Sequence, residues 1–108
     1  MELFDYLTEL EKKCSAHNLW NIPEIEDRYL YDLIKLNKFR KILEFGTGGG
    51  YSTLWLAAAA AETDGEVLTI ESNKERFSIA AAHFAEAGLE TRINQILAHC
   101  PECLDSIA

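Results

Sequence analysis

Ile42-Leu43-Glu44-Phe45-Gly46-Thr47-Gly48-Gly49-Gly50-Tyr51-Ser52-Thr53 is the stretch on which the fold turns, together with Val67-Leu68-Thr69-Ile70-Glu71 downstream. A short apolar strand ends near an acid, enters a glycine loop and opens a helix. A second strand then ends in another acid. Glycine accepts dihedrals that side chains forbid and lets backbone N–H groups approach a ligand closely. A helix beginning at Tyr51 adds its positive end and unpaired amides, which suit a carboxylate or a phosphate. The layout is that of a nucleoside-cofactor site at the carboxyl edge of a parallel sheet.

Outward from that stretch the chain reads as alternating elements. Strands are expected over Lys41–Phe45, Glu66–Glu71 and Arg92–Leu97, with helices over Tyr51–Glu62 and Asn73–Ala87. Thr63-Asp64-Gly65 and Gly88 supply the stops. This alternation implies βαβ units, right-handed crossovers and a parallel sheet. Before it, Leu3, Phe4, Leu7, Leu10 and Cys14 form one stripe of a helix over residues 2–17. A second helix is expected from Glu24 to about Leu36, after a turn from Asn18 to Pro23. Pro101–Ile107 reads as a further helical turn or two. The expected organisation is a helical segment over 1–38 and the first half of a cofactor-binding domain over 39–108. Ala57–Ala61 lets its helix lie close on the sheet.

The 108 residues carry 10 Lys and Arg against 18 Asp and Glu, a formal charge of -8. Such a surface repels nucleic-acid phosphates. The small basic cluster Lys35, Lys38, Arg40 and Lys41 reads as a solvated helix end. No apolar run is long enough to span a bilayer, and three cysteines are not a secreted disulfide framework. A cytoplasmic protein is expected.

The glycine loop discriminates among ligands. No Lys-Ser or Lys-Thr follows it, which excludes the phosphate loop of nucleotide triphosphatases. The dinucleotide spacing G-x-G-x-x-G fails at Tyr51 from Gly46 and at Thr53 from Gly48, which disfavours a nicotinamide oxidoreductase. Glu44 would repel a pyrophosphate but suits an ammonium or sulfonium. Glu71 fits a ribose, since a carboxylate accepts from both vicinal hydroxyls. Ser52 and Thr53 are expected to cap their helix, with pointing into the site as the other reading.

Glu44 through Thr53 resembles the first motif of the class I S-adenosylmethionine-dependent methyltransferases, and within them the catechol and caffeoyl-CoA type of O-methyltransferase. Ile70-Glu71 is similar to the second motif, and the similarity runs from about Glu24 to Leu104. It implies a Rossmann-like methyltransferase fold, with a partial sheet of strand order 3-2-1 and two N-terminal helices. It also implies S-adenosyl-L-methionine as cofactor. The loop residues Gly46, Thr47, Gly48, Gly50, Tyr51 and Ser52 would surround its methionine end with Glu44. Glu71 would hold the ribose, with Ser72 and Asn73 near the adenine. Many relatives have Gly-Asp-Ala after the third strand; here stand Ala98-His99-Cys100, and His99 offers one hydrogen bond there. The implied reaction transfers methyl to a small-molecule hydroxyl. The alternative is a truncated, non-catalytic module that binds cofactor or partners.

The family's metal ligands and catalytic lysine lie beyond its third strand, so none carries over. The resemblance leaves room for a divalent metal in a complete enzyme, without ligands in this chain. With three strands, Lys41–Phe45 becomes an edge whose Ile42, Leu43 and Phe45 are suited to burial. A fragment, a homodimer or marginal stability is therefore expected. His99-Cys100-Pro101-Glu102-Cys103 contains a C-x-x-C, read as a loop and helix start before a redox or metal site. His83 is expected on a helix surface or partly buried. Trp20 is the aromatic residue best placed for a substrate mouth, while Trp55, Tyr29 and Tyr31 are expected in packing.

Overall fold

The computed structural model describes residues 2–16, 24–100 and 102. The turn at 18–23 with Trp20, the helical turn expected at Pro101–Ile107, and Cys103 lie outside the described residues. Elements run in the order α1 (Leu3–Ala16), α2 (Glu24–Asn37), β1 (Lys41–Phe45), α3 (Tyr51–Glu62), β2 (Glu66–Glu71), α4 (Lys74–Ala87), a 3-10 turn (Glu90–Arg92) and β3 (Ile93–Leu97). Arg92 thus belongs to the turn before β3 rather than to the strand, and Asn73 caps α4 rather than joining it. The Asn73 side chain accepts from the Arg76 amide, while Gly88 closes α4 in the left-handed region at φ 72°.

The sheet is parallel, in the order β1-β2-β3, with β1 at an edge. Register pairs Ile42 with Val67 and Val67 with Ile93, so these three share one face. That face receives α3. Ala57, Ala59 and Ala60 pack with Ile34, Leu56 and Val67, with Ile42 and Ile93 at the margin. Alanine at the contact lets α2 and the sheet both approach α3. The second cluster joins α1 to the N-terminal half of α3 and to α4 through Leu7, Leu10, Cys14, Tyr51, Leu54, Trp55, Ala80 and Phe84.

Phe4, expected on the inward stripe, and Tyr29, expected in packing, differ from their sequence reading. On α1, Phe4 is exposed at the rim, its ring 5.2 Å from Trp55 and 5.9 Å from Tyr31. On α2, Ile25, Tyr29, Leu33 and Leu36 face outward, and the buried positions are Asp27 and Ile34. The helix is turned so that Asp27, Tyr31 and Ile34, spaced i, i+4 and i+7, face α3. In β1, alternation sends Leu43 and Phe45 away from α3, where they stand 48% and 55% exposed. The basic cluster is exposed as expected, with Lys35 paired to Glu62 and Arg40 to Asp64.

Candidate cofactor site

β1 and β2 end side by side, and the glycine loop crosses their carboxyl ends. Gly46 and Thr47 both donate their amides to the Ile70 carbonyl, at 2.8 and 3.2 Å, which ties the loop to the end of β2. Gly50 then takes φ +90° as the residue before α3. A Cβ there would stand 2.7 Å from Phe84 Cε1 and 3.3 Å from Ala80 Cβ, so only glycine lets the loop lie this close to α4. Among the described residues no side chain caps α3. Its first-turn amides, which have no intrahelical acceptor, are left for another partner. The expectation that Ser52 and Thr53 cap this helix is therefore corrected. Both lie inside the first turn, and their hydroxyls go to acids on neighbouring elements.

Thr53 donates to Glu44 Oε1, and Thr69 donates to the same oxygen at 2.8 Å. Thr69 has one hydroxyl hydrogen, so Thr47, 2.7 Å from it, is the donor of that pair. The chain runs Thr47 to Thr69 to Glu44. Burial pushes the Glu44 carboxyl up to about 7, against the lowering effect of the two threonines, and the neighbouring Asp27 adds to the rise. Ser52 Oγ donates to Asp27 Oδ2 at 3.2 Å.

Glu71 closes the other side. Its residue is 3% exposed. Oε1 accepts from the Gly48 amide at 2.9 Å, and Oε2 accepts from the Asn73 amide at 2.8 Å and from Arg76 Nε at 3.3 Å. The carboxylate thus links the glycine loop to the start of α4. His83 completes the link from below, its Nδ1 2.6 Å from the Gly49 carbonyl. A carbonyl only accepts, so Nδ1 carries the hydrogen. His83 is fully buried, which corrects its reading as a surface or partly buried residue; the loop packs over it. Two residues of this site, Asp27 and Arg76, were absent from the sequence reading, and His83 was read without a place in it.

The remaining expected residues divide. Tyr51 places its ring in the core, with its hydroxyl 3.1 Å from Glu11, so only its amide stays at the loop. Ser72 is exposed at the loop after β2. His99 is exposed and meets Glu102 at 2.6 Å. Among the described residues there is no group of three or more His, Cys, Asp or Glu side chains placed for a metal ion. No described helix is long and apolar enough to cross a membrane.

Residues 1–108 match the protein family described as O-methyltransferase. The chain belongs to that family. It is 33% identical, over 89% of its length, to a caffeoyl-CoA O-methyltransferase of Populus kitakamiensis, covering 40% of that protein. It is also 33% identical, over 64% of its length, to a catechol O-methyltransferase of Mycobacterium tuberculosis, covering 31% of it. The O-methyltransferase from Bacillus cereus, solved in complex with SAH, superposes with a TM-score of 0.85 at 30% identity; 95% of this chain and 47% of that one are covered. An O-methyltransferase from Streptomyces achromogenes involved in tomaymycin synthesis, solved with SAM, gives 0.83 at 31% identity, over 94% and 46%. The chain therefore spans less than half the length of these O-methyltransferases, and the fold is the Rossmann-like fold they share.

Proposed function

We propose that this chain forms the S-adenosylmethionine site of an O-methyltransferase that acts on a small-molecule hydroxyl. The observation that carries the reading is Glu71, a buried carboxylate at the end of β2 bonded to the Gly48 amide of the glycine loop. Among the described residues Oε1 accepts from Gly48 alone, keeping a lone-pair direction for a ribose hydroxyl. The uncapped first turn of α3 suits the carboxylate of the methionine end, through its amides and Ser52. Glu44, just inside β1, supplies negative potential for the ammonium and sulfonium. These donors and acceptors fit the cofactor.

When bound, the cofactor supplies an electrophilic methyl group on sulfur for transfer to an oxygen nucleophile. The residues of this chain bind and orient. Gly46, Thr47, Gly48 and Gly50 shape the loop, and His83 and Glu71 hold it against α4. Rate enhancement by such a scaffold comes from proximity and orientation. The adenine would lie near Ser72, with His99, whose Nδ1 meets Glu102, offering its other ring nitrogen.

Calorimetric titration with S-adenosylhomocysteine tests the reading, with NAD and Glu71→Ala as controls. Saturable binding of the first ligand alone, lost in a variant that still melts cooperatively, is the expected result. A folded wild-type chain that gives neither heat nor thermal shift would overturn it in favour of a non-binding interaction module.

A further inference from the structure

Asp27 is 0% exposed, held between α2 and the first turn of α3. Its Oδ2 lies 3.2 Å from Ser52 Oγ, and its Oδ1 has no hydrogen-bond partner among the described residues. The charged groups that act on it are acidic: Glu26 on its own helix, Glu11 from α1 and Glu44 from β1. The cation next to it in sequence, Arg28, is turned elsewhere, its guanidinium 5.3 Å from the Trp55 ring centre and its NH2 group 3.6 Å from Glu24. An ionised carboxylate with a bare oxygen beside these acids is costly to bury, and a neutral acid far less so. Burial accordingly pushes the Asp27 carboxyl up to about 6.

The consequence falls on Ser52, whose hydroxyl has a single hydrogen. With Asp27 ionised, that hydrogen is committed to Oδ2, and Ser52 presents only lone pairs to the mouth of the loop. With a proton on Oδ2, Asp27 is the donor and Ser52 Oγ the acceptor. The Ser52 hydrogen is then free to turn toward an anion at the uncapped start of α3.

We propose that Asp27 is a positioning residue that sets the hydrogen-bond polarity of Ser52, so that the carboxylate end of the amino-acid cofactor binds with uptake of one proton. The inference rests on the cofactor reading given above. The balance is one proton from solvent to Asp27 Oδ2, with no covalent bond made or broken.

The test is titration of the chain with S-adenosylhomocysteine between about pH 5.5 and 8, each point run in two buffers of different ionisation heat. The wild type is expected to lose affinity above about pH 6, approaching tenfold per pH unit, with close to one proton taken up per ligand near pH 8. Asp27→Asn, which cannot take up a proton, is expected to bind with little pH dependence and no such uptake. Glu44 is retained in that variant, so a slope that persists there belongs to Glu44 and overturns the assignment to Asp27. Ser52→Ala should bind more weakly throughout and also lose the slope, which keeps the proposal testable if Asp27→Asn fails to fold. Wild-type binding that is flat with pH, or a slope that survives in Ser52→Ala, overturns this inference and leaves the cofactor reading standing. No binding by the folded wild type at any pH removes both.

Discussion

Replacing Gly50 by alanine should damage the fold and the site together, and the structure separates the two causes. The first is backbone strain: φ at Gly50 is +90°, and holding an L residue there costs about 1–2 kcal/mol. The second is steric. The new methyl would sit 2.7 Å from Phe84 Cε1 and 3.3 Å from Ala80 Cβ, both on buried α4 residues with little room to retreat. Overpacking of this kind adds about 1–3 kcal/mol. The sum is a loss of about 2–5 kcal/mol, a large part of the stability of a small domain. Gly46→Ala is the internal control. Its φ is +86°, but nothing stands within 4 Å of the added Cβ, so it should cost only the strain, about 1–2 kcal/mol. Urea unfolding followed by circular dichroism measures both. Phe84→Leu, combined with Gly50→Ala, should recover about 1 kcal/mol relative to additivity as the ring edge is removed. Equal losses at Gly46 and Gly50, within about 0.5 kcal/mol, with no coupling to Phe84, would refute the close seating of the loop on α4.

Two further outcomes follow from acids and edges. Asp27 and Glu44 have folded-state values of about 6 and 7, above their ordinary 3.8 and 4.5. The folded state therefore binds more protons than the unfolded one in this window, and stability falls as pH rises from about 4 to 7. The urea midpoint should be higher at pH 5 than at pH 8, with part of the difference removed by Glu44→Gln; a midpoint that rises with pH contradicts the assignment. The unpaired β1 edge beside exposed Leu43 and Phe45 should make sedimentation concentration-dependent. Leu43→Lys should suppress that association while shifting stability by no more than about 0.5 kcal/mol, and a wild-type monomer at every concentration would count against it.

The bounds of β1, α3 and β2 could be read from the chain because local chemistry marks each one. An apolar run meets glycine at Gly46, a helix follows Gly50, and Thr63-Asp64-Gly65 separates α3 from β2. Glu71 was legible for the same reason, as the last residue of an apolar strand. The inward residues on α2 and α4 were not, because their partners are distant in sequence. His83 bonds to a carbonyl 34 positions earlier, and Asp27 to a hydroxyl 25 positions later. A signal existed in both cases. His83 lies on the stripe of Ala80, Phe84 and Ala87, and Asp27 on the stripe of Tyr31 and Ile34. A polar residue on an otherwise inward-facing stripe asks for a buried partner. Ser52 and Thr53 were misread because cap propensity is local, whereas the acids that claim their hydroxyls arrive from α2 and β1.

The placement of α1 has a consequence for the order in which the protein is made. Its buried face, Leu7, Leu10 and Cys14, is completed by Ala80 and Phe84 of α4, and Tyr6 donates to Glu86 at 2.8 Å, 80 positions later in the chain. A ribosome adding about 5–20 residues per second leaves α1 without that cover for several seconds after it emerges. Meanwhile β1, α3 and β2, neighbours in sequence, can already pair, since short loops close at lower entropic cost. Made before the other described helices, α1 thus completes its packing only once α4 is made. A stall in translation before α4 would leave the part of its apolar stripe that Ala80 and Phe84 cover open and suited to capture by a chaperone.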